Sequence, residues 1–388
     1  MHWRIDFRQY DEWNRPSIAP IDVDPLTTEF AGNPSVGSYG EYACVSWYKD
    51  GIIRARLFDG IGAPTTDPFV VFDAVQGVNS LPHILMDADR IVFTLSIDIA
   101  GQRGVFVRAF DYQGAPQTGL IPVAISPAGS PRKNGRAGFL TSGGMSVIFT
   151  RGSGSTEPWL PYLAALDSTY QVINIAQLAE VSTNYNGFGV LDDGSIGIIL
   201  GTFDEPQTAF AERFDEFGQP SGNLVNVDPS ELYISTHIRP DGAFVLAFRV
   251  NGDEVRGRLY SQDWQPFTEQ FQLPLFYTTP PYDFGSIRSA PGLIAENGDA
   301  WFTWDNTLIP RQAYLAVLKP LLRGDMNNDK RIDNFDIDPF VLALTDPAAY
   351  SVQYNIPQAA GLIIGDINED GFLNNFDIDP FVSLLAEE

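Results

Sequence analysis

Short apolar runs dominate the first 320 residues, and they return in the same order at intervals of 46 to 56 positions. An alternating strand ends in Arg-x-Phe-Asp or a worn form of it. A turn bearing Gly or Pro follows, and then a short apolar strand such as FVVF (69–72) or LIPVAI (120–125). Next come a Pro- or Gly-led segment, an Asp-Gly-like turn and a strongly apolar strand. DADRIVFTLS (87–96), DDGSIGIIL (192–200), PDGAFVLAF (240–248) and NGDAWFTW (297–304) are examples. Asp-Gly between apolar runs is a hairpin signal, and alternation in one strand beside continuous apolarity in the next fits sheets stacked face to face.

The turn phrase marks the period. It reads RQYDEWNRP (8–16), RLFDGIGAP (56–64), RAFDYQGAP (108–116) and ERFDEFGQP (212–220), with weaker echoes in AALDSTYQV (164–172) and GRLYSQDWQP (257–266). Its anchors are Tyr10, Phe58, Phe110, Leu166, Phe214 and Tyr260. Such a period is one four-stranded blade of about 40–50 residues. A blade cannot cover both of its faces, whereas blades set radially cover one another. The pattern therefore predicts a mainly β chain whose residues 1–320 form a β-propeller. The first-half segment occurs six times, near 36–48, 82–96, 137–150, 188–200, 237–249 and 292–304. Closure of the N-terminal strands with the last C-terminal ones gives six blades, or seven if further chain precedes Met1.

Within the repeat, chemistry-bearing residues have plain alternatives. Asp59, Asp111 and Asp215 recur at one turn position. A pair of acids could cleave a glycosidic bond, but recurrence at a turn favours carboxylates that bond their own backbone. His83 and His237 share a repeat phase, so they either face a central channel or serve local hydrogen bonds. Trp13, Trp159 and Trp264 lie near turns and could stack on sugar rings or pack the rim. The lone Cys44 sits in YACVSW and reads as a buried structural thiol. No G-x-S-x-G or H-E-x-x-H motif occurs, and ENGDAWFTW (296–304) lacks the serine of a sialidase-type turn.

From Gly324 the composition changes. Residues 321–388 carry 13 acids against 3 bases, and a segment is written twice: GDMNNDKRIDNFDIDPFVLAL (324–344) and GDINEDGFLNNFDIDPFVSLL (365–385). On a twelve-residue calcium loop, Asp325, Asn327, Asp329, Asp333 and Asp336 fall at positions 1, 3, 5, 9 and 12. Asp366, Asn368, Asp370, Asn374 and Asp377 fall at the same positions of the second copy. Position 7 offers backbone carbonyls from Arg331 and Phe372. Oxygen donors in this alternation wrap one Ca²⁺, with a tight turn at position 6. Gly371 suits that turn and Lys330 does not, so two ions are expected and the first site is expected to be weaker. A short helix follows each loop. Its buried stripe is predicted as Ile337, Phe340, Val341 and Leu344, and as Ile378, Phe381, Val382 and Leu385. Asp346-Pro347 reads as the N-cap and first residue of a linking helix.

The duplicated loops, closed by Asp and followed by NFDIDPFV, resemble type I dockerin modules. More narrowly, they are similar to the dockerin-like tails of planctomycete secreted proteins. The resemblance covers about 324–385 and makes residues 321–388 a small α-helical domain with two EF-hand-type loops. It implies an extracellular or cell-surface setting, with docking onto a cohesin-like module or onto another copy. It places partner recognition on Asn334-Phe335 and Asn375-Phe376, and an alternative is that both Phe residues seal the small core. Residues 1–320 resemble the loosely repeated bacterial extracellular propellers, which bears on architecture rather than chemistry.

The formal charge of −25 disfavours nucleic acid and anionic membrane surfaces as partners. No apolar run of about 18 residues occurs, so no membrane-spanning helix is expected. No signal peptide is visible at Met1, and with a secreted-type tail the gene's start is expected upstream. The leading expectation is a non-enzymatic binding or structural protein assembled through its calcium-dependent tail. A dockerin-tethered glycoside hydrolase or lyase acting on a glycan is the chief alternative, and a subunit of an extracellular filament is another.

Overall fold

The computed structural model describes residues 6–7, 21–23, 32–73, 77–78, 82–99, 101–127, 132–152, 159–179, 183–202, 209–222, 224–228, 235–250, 254–266, 271–272, 291–294, 300–305, 313–318, 322–329, 331–368 and 370–386. The chain divides into two compact units. One lies within residues 1–316, and the other comprises Val317–Glu388 with two short earlier stretches.

The β unit opens with the antiparallel pair β1 (Asp6–Phe7) and β2 (Ile21–Asp22). Antiparallel four-stranded meanders then follow in chain order. The first is β3 (Gly32–Tyr39), β4 (Tyr42–Lys49), β5 (Ile52–Phe58) and β6 (Phe69–Phe72). In the second, β7 (Gly77–Val78) and β8 (His83–Met86) both pair with β9 (Ile91–Ile99), which continues into β10 (Gln102–Phe110) and β11 (Ile121–Pro127). The third is β12 (Arg132–Phe139), β13 (Met145–Arg151), β14 (Leu160–Leu166) and β15 (Val172–Gln177). The fourth is β16 (Thr183–Val190), β17 (Ile196–Thr202), β18 (Ala209–Phe214) and β19 (Val225–Asp228). The fifth is β20 (Ser235–His237), β21 (Phe244–Val250), β22 (Glu254–Tyr260) and β23 (Phe271–Gln272). Beyond it, β24 (Pro291–Ile294) pairs with β25 (Ala300–Asp305).

The anchors of the repeated phrase fix a common register. Phe58, Phe110, Leu166, Phe214 and Tyr260 pair with Ala43, Ile91, Met145, Ile196 and Phe244, and all five anchors are buried. The aspartate after the anchor builds the turn. Asp59 Oδ1 accepts from the Ile61 and Ala63 amides at 3.1 and 2.7 Å. Asp111, Asp167 and Asp215 repeat the arrangement. The turn also needs a left-handed backbone four residues past the anchor, which Gly62, Gly114 and Gly218 supply without strain. Tyr170 and Trp264 hold the same position at φ 65° and 61°. Their side chains are tied down, the Tyr170 hydroxyl accepting from Arg90 at 2.8 Å and Trp264 Nε1 donating to the Gly242 carbonyl at 3.0 Å.

Alternate residues of one strand serve two cores. On β9, Ile91, Phe93, Leu95 and Ile97 pack with Cys44, Leu57 and Val71 of the first meander. Val92 packs instead with Ala137, Met145 and Val147 of the third. Cys44 is fully buried, which pushes its thiol pKa far up and leaves it inert. The leading strands of successive meanders run side by side. β16 pairs in parallel with β20, and β20 with β24. Glycine permits these joints: a Cβ on Gly37 would lie 2.8 Å from Ile84 Cβ, on Gly138 2.6 Å from Val190 Cγ2, and on Gly189 2.2 Å from the Ile238 carbonyl oxygen.

The C-terminal unit is helical: α1 (Ile337–Thr345), α2 (Pro347–Gln353), α3 (Gln358–Gly365) and α4 (Ile378–Ala386). Asp346 caps α2, its carboxylate accepting from the Ala349 amide at 3.0 Å, with Pro347 in the first turn. α3 is an element that the sequence pattern did not mark. Phe340 and Phe381 stack at 4.2 Å with planes 7° apart, and the Tyr350 hydroxyl donates to the Met326 carbonyl at 2.8 Å. The predicted helix stripe needs correction. Phe340 and Phe381 are buried, whereas Ile337, Val341, Ile378 and Val382 are 39 to 56% exposed. Pro339 and Ala343 are buried on α1 instead, and Leu342 and Leu344 pack partly buried against the same core.

The Gly189 joint is testable. Gly189→Ala sets a methyl against a backbone carbonyl with no side chain to yield, so it should cost about 1–3 kcal/mol in urea unfolding. Gly119→Ala, in open space, should change little. A wild-type midpoint for Gly189→Ala would contradict the close approach of the two leading strands.

Candidate functional site

The two C-terminal loops carry the same hydrogen bonds at matched positions. At position 12, Asp336 and Asp377 are fully buried. Asp336 accepts from the Asn327 and Asp333 amides at 3.0 and 2.9 Å. Asp377 accepts from the Ile367, Asn368 and Asn374 amides at 2.8, 3.1 and 2.9 Å. At position 1, Asp325 and Asp366 are buried to 2 and 8% exposure, and each accepts from the position-5 amide at 3.0 Å. Asn327 and Asn368 at position 3 bridge to Asp329 and Asp370, with Nδ2 to Oδ2 distances of 3.1 and 3.2 Å. At position 9, Asp333 and Asn374 cap the following 3-10 turns, accepting from the Phe335 and Phe376 amides at 2.8 Å each. At position 7, the Arg331 amide donates to Asp329, and the Phe372 carbonyl accepts from Asn374 at 3.2 Å.

Burial holds the Asp336 carboxyl above the ordinary carboxylate range, against the pull of surrounding amides and with the Asp325 charge adding to the rise. Asp325 and Asp336 also add to the upward shift that burial gives the Tyr350 phenol. Two acids of one sign thus press on a small core. Among the described residues, no three acidic or histidine side chains converge on one point. A carboxylate has about four lone-pair sites, so oxygens bound to two or three amides keep capacity for a hard cation. Gly371 adopts φ 90° at position 6, as expected, and Lys330 lies outside the described residues. Asn328, at position 4 of the first loop, takes φ 60°. Arg323 donates to the Asp366 carbonyl and stands 3.9 Å from its carboxylate, which places a cation beside the second loop.

Phe335 and Phe376 are 76 and 77% exposed, and Asn334 and Asn375 are exposed beside them. The core-sealing alternative for these phenylalanines is therefore excluded.

In the β unit, a cavity of about 410 Å³ lies where leading strands converge, lined by residues that include Ser38, His83, Arg136, Phe139, Phe188 and Pro240. His83 borders this space, and its Nδ1 makes the local hydrogen bond that was one expectation, accepting from the Ala137 amide at 3.2 Å. The side chains of His237 and Trp13 lie outside the described residues. Trp264 is buried, and Trp159 is partly buried with its ring against Gly152. The turn aspartates are occupied by backbone amides. No carboxylate lines the cavity among the described residues, so the two-acid arrangement of a glycosidase is not found there. Sequence reasoning missed Arg136 and the tyrosines Tyr39 and Tyr42. The signal lay in a basic residue at a leading-strand phase, GRAGF (135–139), and in aromatics flanking the Gly-Glu hairpin YGEY (39–42).

No family model matches the chain, and no curated protein matches it. Solved structures do. A protein of unknown function from Dyadobacter fermentans aligns with TM-score 0.53 and 14% identity over 74% of this chain and 93% of its own. An α-L-arabinanase from Penicillium chrysogenum, complexed with arabinobiose, aligns with TM-score 0.51 and 8% identity over 74 and 93%. A polysaccharide lyase, an ulvan lyase bound to -[GlcA(1-4)Rha3S]-, aligns with TM-score 0.50 and 8% identity over 74 and 79%. The β unit has a propeller-type fold. At these identities the likeness speaks for architecture alone. No helix among the described residues is long and apolar enough to cross a membrane.

Exposure gives a sharp contrast in the C-terminal unit. Phe335→Ser and Phe376→Ser should leave its thermal unfolding within about 0.5 kcal/mol of wild type. Phe340→Ala should cost about 3–5 kcal/mol. Equal losses at Phe335 and Phe340 would contradict the assignment of faces.

Proposed function

We propose that this chain is a carbohydrate-active propeller tethered outside the cell by a calcium-folded, dockerin-like module. The observation that carries the tether is the matched lattice of the two loops: fully buried Asp336 and Asp377 at position 12, with a nearly buried aspartate at position 1 of the same loop that accepts from the position-5 amide. Burying paired carboxylates without a cation is costly, and Ca²⁺ with its six to eight oxygen ligands removes that cost. Asp325, Asn327, Asp329, Asp333 and Asp336 would hold one ion, and Asp366, Asn368, Asp370, Asn374 and Asp377 the other, with carbonyls from Arg331 and Phe372. Phe335 and Phe376, exposed on equivalent turns, suit a cohesin-like partner that accepts either orientation.

For the propeller, a carbohydrate ligand is supported by fold neighbours that include an arabinanase and a polysaccharide lyase. Six blades remain the reading of the sequence period: five meanders and the β24–β25 pair account for the described strands, and the reading assigns β1 and β2 to closure of the sixth. A glycan-binding role without catalysis is the second reading, favoured by the carboxylate-free cavity lining.

Calorimetric titration with Ca²⁺ tests the tether. The wild type should take up two ions and the Asp366→Ala, Asp377→Ala double variant one. Identical stoichiometry in both would sink the reading.

A further inference from the structure

We propose that the outer edge of β15 (Val172–Gln177) is a docking strand for a second copy of this chain. The two β15 strands pair antiparallel about a twofold axis, with Ile175 opposite its own copy. Neither the glycan reading nor the calcium reading enters into it.

Edge protection is the first argument. An outer strand offers a row of N–H and C=O groups to any other strand, and proteins blunt such edges with charge or proline. β6 lies between Asp67-Pro68 and Asp73, β11 contains Pro122 and Pro127, and β19 ends in Asp228. β15 reads VINIAQ and carries neither; along the chain its nearest charges are Asp167 and Glu180. All four strands have a register shift, so a bulge does not set β15 apart. Among the described residues, β15 pairs with β14 alone. Ile173 and Ile175 are 57 and 43% exposed. The Leu178 amide donates to the Pro161 carbonyl, towards β14. Alternate residues of an antiparallel strand face opposite edges, so Ile175 and Gln177 turn their N–H and C=O groups outward.

Charge decides the occupant. With −25 on each chain, two copies repel one another over most of their surfaces, and an uncharged edge is where they can approach. A basic partner would gain more on the acidic surface than on this strand. In the twofold register Ile175 faces its own copy and Asn174 faces Ala176, so no charge opposes another. The strand is also held in shape by its neighbours. Asn174 Nδ2 donates to the Phe217 carbonyl at 2.7 Å, and the Tyr162 hydroxyl donates to Gln177 Oε1 at 3.0 Å. Gly218 comes so near that a Cβ there would lie 2.5 Å from Ala176 Cβ. An edge already fixed in this way has little ordering left to undergo on pairing.

The test is sedimentation equilibrium on the full chain from about 1 to 100 μM, since a six-residue edge makes a small interface that dissociates on dilution. The mass should rise from 42.8 kDa towards twice that value. Salt screens like charges, so the rise should be steeper in about 0.5 M NaCl than in about 0.05 M. Ile175→Lys sets two like charges face to face and should keep the chain monomeric. Val70→Lys, on the outer strand β6, should leave the dimer intact, as should the Phe335→Ser, Phe376→Ser double variant. Ile175→Cys should form a disulfide-linked dimer on mild oxidation, because paired Cα atoms about 5.5 Å apart lie within disulfide reach. The buried Cys44 stays silent in that assay. A wild type that is monomeric throughout the range overturns the proposal. So does a dimer that survives Ile175→Lys, that weakens in salt or that gives no cross-link at Cys-substituted position 175. Loss of the dimer in Val70→Lys or in the phenylalanine variant places the contact elsewhere and overturns it too.

Discussion

An element whose apolar surface exceeds what it can fold over itself must find another surface, and here it finds a copy of itself. A four-stranded meander has two apolar faces. The alternate residues of β9 enter two different cores, one shared with the meander before and one with the meander after. The same constraint governs the C-terminal unit on a smaller scale. Each loop-and-helix half offers one large ring, and Phe340 and Phe381 stack at 4.2 Å in the centre of a shared core. Repetition in the sequence is the trace of that mutual covering. Where copies meet most closely, side chains are absent: Gly37, Gly138 and Gly189 mark the lines along which leading strands touch.

Aspartate serves two purposes in this chain, and the difference between them is burial. In the propeller turns, Asp59 and Asp111 stay at the surface and accept from amides two and four residues on. In the C-terminal loops, Asp329 and Asp370 make the same two-residue contact. There, however, the first and last acids are withdrawn from water, and backbone amides answer much of their charge. The surface acids are satisfied turn formers, whereas the buried ones create a demand that the proposed calcium ions would meet.

Much of this was legible in the sequence because period and register are linked. The Phe-Asp phrase located the end of each third strand, and the anchors Phe58 to Tyr260 pair as their spacing implied. The doubled DxNxD pattern likewise located both loops. What escaped depended on contacts between distant segments. Heptad-like spacing gave Ile337 and Val341 to the core, yet α1 buries Pro339, Phe340 and Ala343 and leaves those two exposed. α3 was missed because its apolar run, GLIIG, has the length of a strand. Arg136 carries no motif, and only the convergence of strands reveals what it borders.

The central claim is that calcium sits in both C-terminal loops. Anomalous difference density from a crystal grown in millimolar Ca²⁺ measures it most directly. The account predicts two peaks, each about 2.3–2.6 Å from the position 1 and position 12 carboxylates of one loop. Density at neither loop, with Asp325, Asp336, Asp366 and Asp377 bonded to amides alone, would contradict it.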